Sequence, residues 1–139
     1  MNEIFERRFR QAIKESVSTV AEYAGDHHRF IARTGNLERS ITPEVMGLRG
    51  VIYLDDKLAP YGPMVHEGTR PHVILPKNRK VLRWADGGEF IFARKVQHPG
   101  TKPDQFLYQA LDANENRIME IFDRYAELAK EDIAEELVK

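Results

Sequence analysis

Apolar residues at the start of the chain recur at helical spacing: Ile4, Phe5, Phe9, Ala12, Ile13, Val17, Val20 and Ala21, with Arg and Glu opposite. The pattern predicts an amphipathic helix over 3–24, with Gly25 placed as its C-cap and Asp26-His27-His28 breaking the period. Thr34 is positioned to cap a short helix whose Leu37 and Ile41 face inward and which Pro43 ends. Val45 and Val51–Leu54, separated by Gly47–Gly50, read as two strands joined by a tight turn. Pro60 is placed to start another short helix, with Met64 and Val65 facing inward and Gly68 stopping it. Three further strands are expected at Val73–Leu75, Lys80–Trp84 and Glu89–Val96, with Asp86-Gly87-Gly88 turning between the last two.

Gln97 to Pro103 reads as loop, and from Asp104 a single long helix is expected to about Val138, with Asp104 as its cap. Its apolar stripe runs from Leu107 and Leu111 through Ile118, Ile121, Phe122, Tyr125, Leu128, Ala129 and Ile133 to Leu137. Unbroken, such a helix is roughly 50 Å long. A compact domain of this chain length is about 37 Å across. The helix must therefore overhang and be covered by the N-terminal helix or another subunit, or else break near Asn114 or Asn116. The fold expected is α+β in one domain spanning 1–139: a small antiparallel sheet or half-barrel flanked by an N-terminal helix and a long C-terminal helix.

Composition narrows the classes. With 139 residues, 42% hydrophobic and 31% charged, the chain is long enough for a core and too apolar for disorder. The absence of cysteine excludes disulfides, thiolate metal sites and cysteine nucleophiles. The first thirty residues lack an apolar signal-like segment, and no run reaches the length of a membrane span, so no membrane association is expected. A net charge of −1 conceals a separation of signs. Residues 66–103 carry eight Lys/Arg against three Asp/Glu, and 104–139 carry four against ten. Separated blocks of this kind suit pairing between halves or between neighbouring copies.

Candidate chemistry concentrates in Tyr61–His72, YGPMVHEGTRPH, and in His98–Leu107, HPGTKPDQFL. His66 and His72 are of the right type for a general acid and base, with Arg70 to steady an anion; His66, Glu67, His72 and His98 could instead hold a metal for a nuclease or phosphodiesterase. Neither spacing matches a metalloprotease helix, a phosphate-binding loop or a nucleophile elbow. Gly68, Pro71, Pro99, Gly100 and Pro103 read more simply as residues that set backbone geometry, so a non-enzymatic loop without cofactor or metal is expected. His27-His28 and Asp55-Asp56 read as a solvated helix end and a polar loop rather than as cation sites. Lys77, Arg79, Lys80 and Arg83 beside Trp84 allow sequence-independent contact with DNA phosphates.

Three motifs in order carry a family likeness: Thr34-Gly-Asn-Leu-Glu-Arg-Ser-Ile41; Tyr61 with Val65-His66-Glu67-Gly68-Thr69-Arg70-Pro71-His72; and His98-Pro99-Gly100-Thr101-Lys102-Pro103 leading to Phe106-Leu107 and Ala110-Leu111. Over about residues 5–125 the chain resembles the HK-type tail-component proteins of tailed bacteriophages and prophages, variously called minor tail, tail-completion or head–tail joining proteins. The resemblance implies a virion-assembly subunit of the tail or neck that forms homo-oligomeric rings, contacts neighbouring tail or neck proteins, and passes from host cytoplasm into the virion. It places the subunit interface at Tyr61, His66, Glu67, Gly68, Thr69, Arg70, Pro71, His72, His98, Pro99 and Lys102, with Arg70 in an intersubunit ion pair.

Overall fold

A computed structural model describes residues 2–74, 82–86, 89–93, 96–98 and 100–138; within 72–98 it describes the backbone alone. The chain is α+β, with an N-terminal helix, antiparallel strand pairs and a long C-terminal helix. Helix α1 (Asn2–Asp26) runs straight through Gly25, which therefore does not end it. Helix α2 (Asn36–Ser40) leads into strand β1 (Ile41–Met46), which pairs antiparallel with β2 (Arg49–Leu54) from Ile41 opposite Leu54 to Met46 opposite Arg49. The strand thus begins earlier than the sequence pattern indicates. Pro43 lies within it, opposite Ile52, as a proline can on a strand with a free edge.

Helix α3 (Gly62–Glu67) starts two residues after Pro60, with Pro63 in its first turn. Of the residues expected to face inward there, Val65 packs against the core but Met64 is 53% exposed; His66 takes the buried position. Strand β3 (His72–Ile74) pairs with β6 (Val96–His98), and β4 (Leu82–Asp86) pairs with β5 (Glu89–Ala93), all antiparallel. The stretch expected as one strand over Glu89–Val96 is thus divided between two partners, and Gln97-His98 is strand rather than loop. Lys77, Arg79, Lys80, Gly87 and Gly88 lie outside the described residues. Asp86 stands opposite Glu89 in the β4–β5 register.

The long C-terminal helix is broken. Helix α4 (Phe106–Ala113) and helix α5 (Glu115–Leu137) meet at Asn114, whose φ of −108° and ψ of 12° leave the helical basin. The Asn114 side chain is buried and its Nδ2 donates to the Ala110 carbonyl at 2.7 Å. An asparagine that bonds its own backbone in this way competes with the regular ladder. At 23 residues α5 is about 35 Å long, within the domain's span.

Its apolar side is covered from within the chain, because α1 lies antiparallel along it. Ile121 and Ala129 of α5 are buried, as are Ala12, Ile13 and Ser16 of α1. Phe9 meets Phe122 edge-on, with ring centroids 5.3 Å apart. Polar clasps border the seam. Arg8 forks onto Asp132 with Nε at 2.7 Å and Nη2 at 3.1 Å, Arg7 adds a bond at 3.3 Å, and Glu15 pairs with Arg124 further along. Phe106, Ala110, Val20, Ala21, Ala24, Leu37, Ile41 and Ala59 form the core where α1, α2, β1 and α4 converge. A Cβ added at Gly50 would stand 2.6 Å from Val17 and 2.8 Å from Ile13, so β2 lies directly against α1.

Candidate functional site

The two motif stretches, thirty residues apart in sequence, are joined backbone to backbone. Thr69 N–H donates to the Thr101 carbonyl at 2.9 Å, and Thr101 N–H returns the bond at 3.1 Å. The bridge has the same register as β3 and β6, in which His72 stands opposite His98. The loops are therefore the base of one antiparallel ribbon that continues into those strands. Two glycines allow the approach. Gly68 has φ 78° and a Cβ there would lie 2.6 Å from the Thr101 carbonyl oxygen; Gly100 has φ 89° and its Cβ would lie 2.5 Å from that of Thr69. Both obstacles are backbone atoms, so glycine is required by conformation and by space together.

Beneath the bridge the ribbon is anchored to the core. Asp104 N–H donates to the Val65 carbonyl at 3.0 Å. The buried Asp104 carboxylate does not cap the following helix. Its Oδ2 accepts from the backbone N–H groups of Arg29 (2.6 Å) and Phe30 (2.8 Å), and Arg29 Nη2 donates to the Pro103 carbonyl at 3.1 Å. The segment after α1 is thereby fastened to the second loop. Phe106, fully buried, meets Phe30 and His66 edge-on with centroids 5.0 and 5.1 Å away.

His66 is 5% exposed, so it is not itself a surface contact. Its ring stands perpendicular to Tyr108 at 4.7 Å, and its Nδ1 is 2.8 Å from Glu67 Oε1. That bond, assisted by Gln105 Nε2 at 3.4 Å from Oε2, holds the Glu67 carboxyl below its ordinary pKa against a smaller opposing effect of desolvation. The pair orients an exposed carboxylate on a buried imidazole. The other ring nitrogen, Nε2, is enclosed and has no hydrogen-bond partner among the described residues. A general base needs hydrogen-bond reach to the proton it takes. The enclosed Nε2 offers none to a molecule in solvent in this conformation. Among the described residues no three His, Cys, Asp or Glu side chains converge on one point.

Of the other residues singled out in the sequence, Arg70, Pro71 and Lys102 are exposed next to the bridge, Tyr61 is exposed at the start of α3, and Thr69 contributes its backbone and its hydroxyl, which accepts from Thr101 N–H at 2.9 Å. His72 and His98 are placed by the register of their backbones, and Pro99 lies outside the described residues. Sequence reasoning did not anticipate the walls and anchors: Phe30, Tyr108, and the roles of Asp104 and Phe106. Two aromatic residues, Phe106 and Tyr108, just after Asp104 were the available signal, but the partners Arg29 and Phe30 are about 75 positions away.

Fold and site together define an α+β chain in which the β1–β2 pair lies against α1 and a glycine-dependent loop pair stands in register with the β3–β6 pair. Comparison with family models, with curated proteins and with solved structures finds no match to this chain. Among the described residues no helix is long and apolar enough to cross a membrane.

Proposed function

We propose that this chain is a structural subunit of a tailed-phage or prophage virion, acting in tail completion or head–tail joining as a member of a ring. One observation supports the reading above others. Two of the three motif stretches that carry the family resemblance close on each other through the Thr69–Thr101 bridge, and both present exposed side chains there as a rim. Glu67, Arg70 and Pro71 on the first stretch and Lys102 on the second border that rim, with Tyr61 exposed at the start of α3. The buried His66 steadies Glu67, while Gly68 and Gly100 fix the backbone under it. A surface held by core anchors suits recognition of a neighbouring subunit or an adjoining tail or neck protein, because little order is lost on binding.

The test is solution mass by light scattering after size exclusion, across protein and salt concentration, for the wild type and Arg70→Glu. Self-association that Arg70→Glu weakens supports the reading. Association unchanged by the substitution removes the rim from the contact surface, and a wild type that stays monomeric throughout removes self-assembly. A metal-dependent nuclease using His66, Glu67, His72 and His98 is the competing reading, favoured by the placement of His72 opposite His98. It requires metal-stimulated DNA cleavage that is lost in His72→Ala and in His98→Ala.

A further inference from the structure

The seam between α1 and α5 uses Arg8, Asp132, Glu15 and Arg124, with Arg7 reaching Asp132 from its edge, and leaves charged side chains of opposite sign on other faces. On α1, Arg10 and Lys14, four residues apart, follow Arg7 along one side, all exposed. With Gln11 they line a groove of about 350 Å³ against Val45 and Gly47 at the β1–β2 turn. Arg10 and Lys14 have no acidic group within ion-pair distance among the described residues, and Met46 and Leu48 on either side of Gly47 are exposed at 55% and 51%. On α5, Glu120, Asp123, Glu127 and Glu131 recur at intervals of three, four and four on the side away from the buried Ile121 and Ala129. All four are exposed. Glu120 and Glu127 have only local i,i+3 partners in Arg117 and Lys130, and exposed pairs of that kind are weak enough to exchange.

We infer that the basic stripe of α1 in one copy docks on the acidic stripe of α5 in the next. The inference rests on the assembly reading above and names its lateral contact. Charge and dimension both fit. At 1.5 Å per residue Arg10 and Lys14 lie about 6 Å apart along α1 and the acidic stripe is about 16 Å long, so both cations fall within the reach of four carboxylates. A single copy cannot satisfy both sets, because its own α1 and α5 are already fastened along a different face by Arg8–Asp132 and Glu15–Arg124. The two surfaces are different, so the contact is head-to-tail and closes into a ring when the rotation per copy divides a full turn. The other polyanion such a groove could take is duplex DNA. It is disfavoured because the chain carries net charge −1 and supplies a matching acidic partner itself.

The test is a charge swap followed by light scattering at low and high salt. One variant carries Arg10→Glu and Lys14→Glu; a second carries Asp123→Lys and Glu127→Lys. Each alone should self-associate at least about tenfold more weakly than the wild type, since like charges then face each other. Mixed together they should associate again, alternating in the assembly, and added salt should weaken both this complex and the wild-type one. Restoration on mixing is a readout that a merely destabilised variant would not give. If the wild type associates and neither variant alters it, this contact is wrong while the assembly reading stands. If the wild type never associates, both are wrong. If the α1 variant instead loses binding to a duplex DNA probe and self-association is unchanged, the groove takes nucleic acid and not a second copy.

Discussion

Alanine at Gly100 tests the close approach at the ribbon base most directly. In the structure φ at this position is 89°, and an added Cβ would stand 2.5 Å from the Thr69 oxygen and 2.9–3.0 Å from the Arg70 carbonyl carbon and the Pro71 nitrogen. Left-handed backbone at a non-glycine residue costs about 1–3 kcal/mol when the surroundings enforce it. Relieving the contact means parting the bridge, with the loss of two backbone hydrogen bonds at about 0.5–1.5 kcal/mol each. The expected destabilisation is therefore roughly 2–6 kcal/mol, a large share of a total stability of ~5–15 kcal/mol. For a chain of this size that lowers Tm by roughly 7–20 °C if the ribbon base unfolds with the rest. If it opens locally, Tm moves less and the loss appears in hydrogen exchange at the Thr69 and Thr101 amides. Two further glycines separate the contributions. Gly47→Ala keeps the positive φ of 63° with nothing within 4 Å, so it carries only backbone strain of ~1–2 kcal/mol. Gly25→Ala, inside α1 and also unobstructed, should stabilise by about 0.5–1 kcal/mol. The order Gly25, Gly47, Gly100 in increasing damage is the expectation. A Gly100→Ala protein with unchanged Tm and unchanged exchange at both amides would refute the close approach.

Three other outcomes are expected. Phe106→Ala empties a fully buried site facing Phe30 and His66 and should cost about 3–5 kcal/mol in denaturant titration, whereas Phe106→Leu, which fills most of the space, should cost clearly less. Asp132 and Glu15 have lowered pKa values, chiefly through hydrogen bonds from Arg8 and Arg124 respectively; their contribution is complete above the unfolded value near ~4 and is lost as pH falls through the folded value. Stability measured from pH 7 to 2 should therefore decline in acid, with a flatter decline in Asp132→Asn and no change of slope near neutrality from this pair. Asn114→Ala removes the side-chain bond to the Ala110 carbonyl and should raise helical circular dichroism at the α4–α5 junction while lowering stability by about 1 kcal/mol, a separation that a purely destabilised helix would not show.

Helical periodicity over residues 3–24 located α1 to within two residues at each end, since a one-sided apolar stripe is written locally. The β1–β2 turn was legible for the same reason, in Gly47 and the apolar runs that flank it. Periodicity said nothing of the break at Asn114. Leu111 and Ile118 stay in phase across it, and the cause is a buried side-chain bond to a carbonyl four residues back. Asp104 shows the opposite failure. A carboxylate just ahead of a helix reads as a cap, yet its Oδ2 is drawn to the N–H groups of Arg29 and Phe30, which no local pattern could announce. The polar stretch around His66 was recognisable as a distinctive site. That His66 would be its buried support rather than its surface depended on Phe106 and Tyr108 arriving from α4.

The same packing changes how assembly can be driven. An uninterrupted, uncovered helix would have offered a long apolar strip, and its burial would resemble an obligate interface, tight and nearly indifferent to salt. Instead α1 covers the middle of the apolar side of α5 around Ile121 and Ala129, and the exposed faces of both helices are mainly charged. Association through such faces gains little per ion pair, is screened beyond about 10 Å at 0.1 M salt, and depends on many contacts being made at once. A subunit built this way self-associates weakly and in a salt-sensitive way on its own, and engages firmly when neighbours hold it in place, where each further contact acts at high effective concentration. On the assembly reading, an adjoining virion surface supplies that concentration, and the rim around the Thr69–Thr101 bridge is the part of this chain best held to meet it.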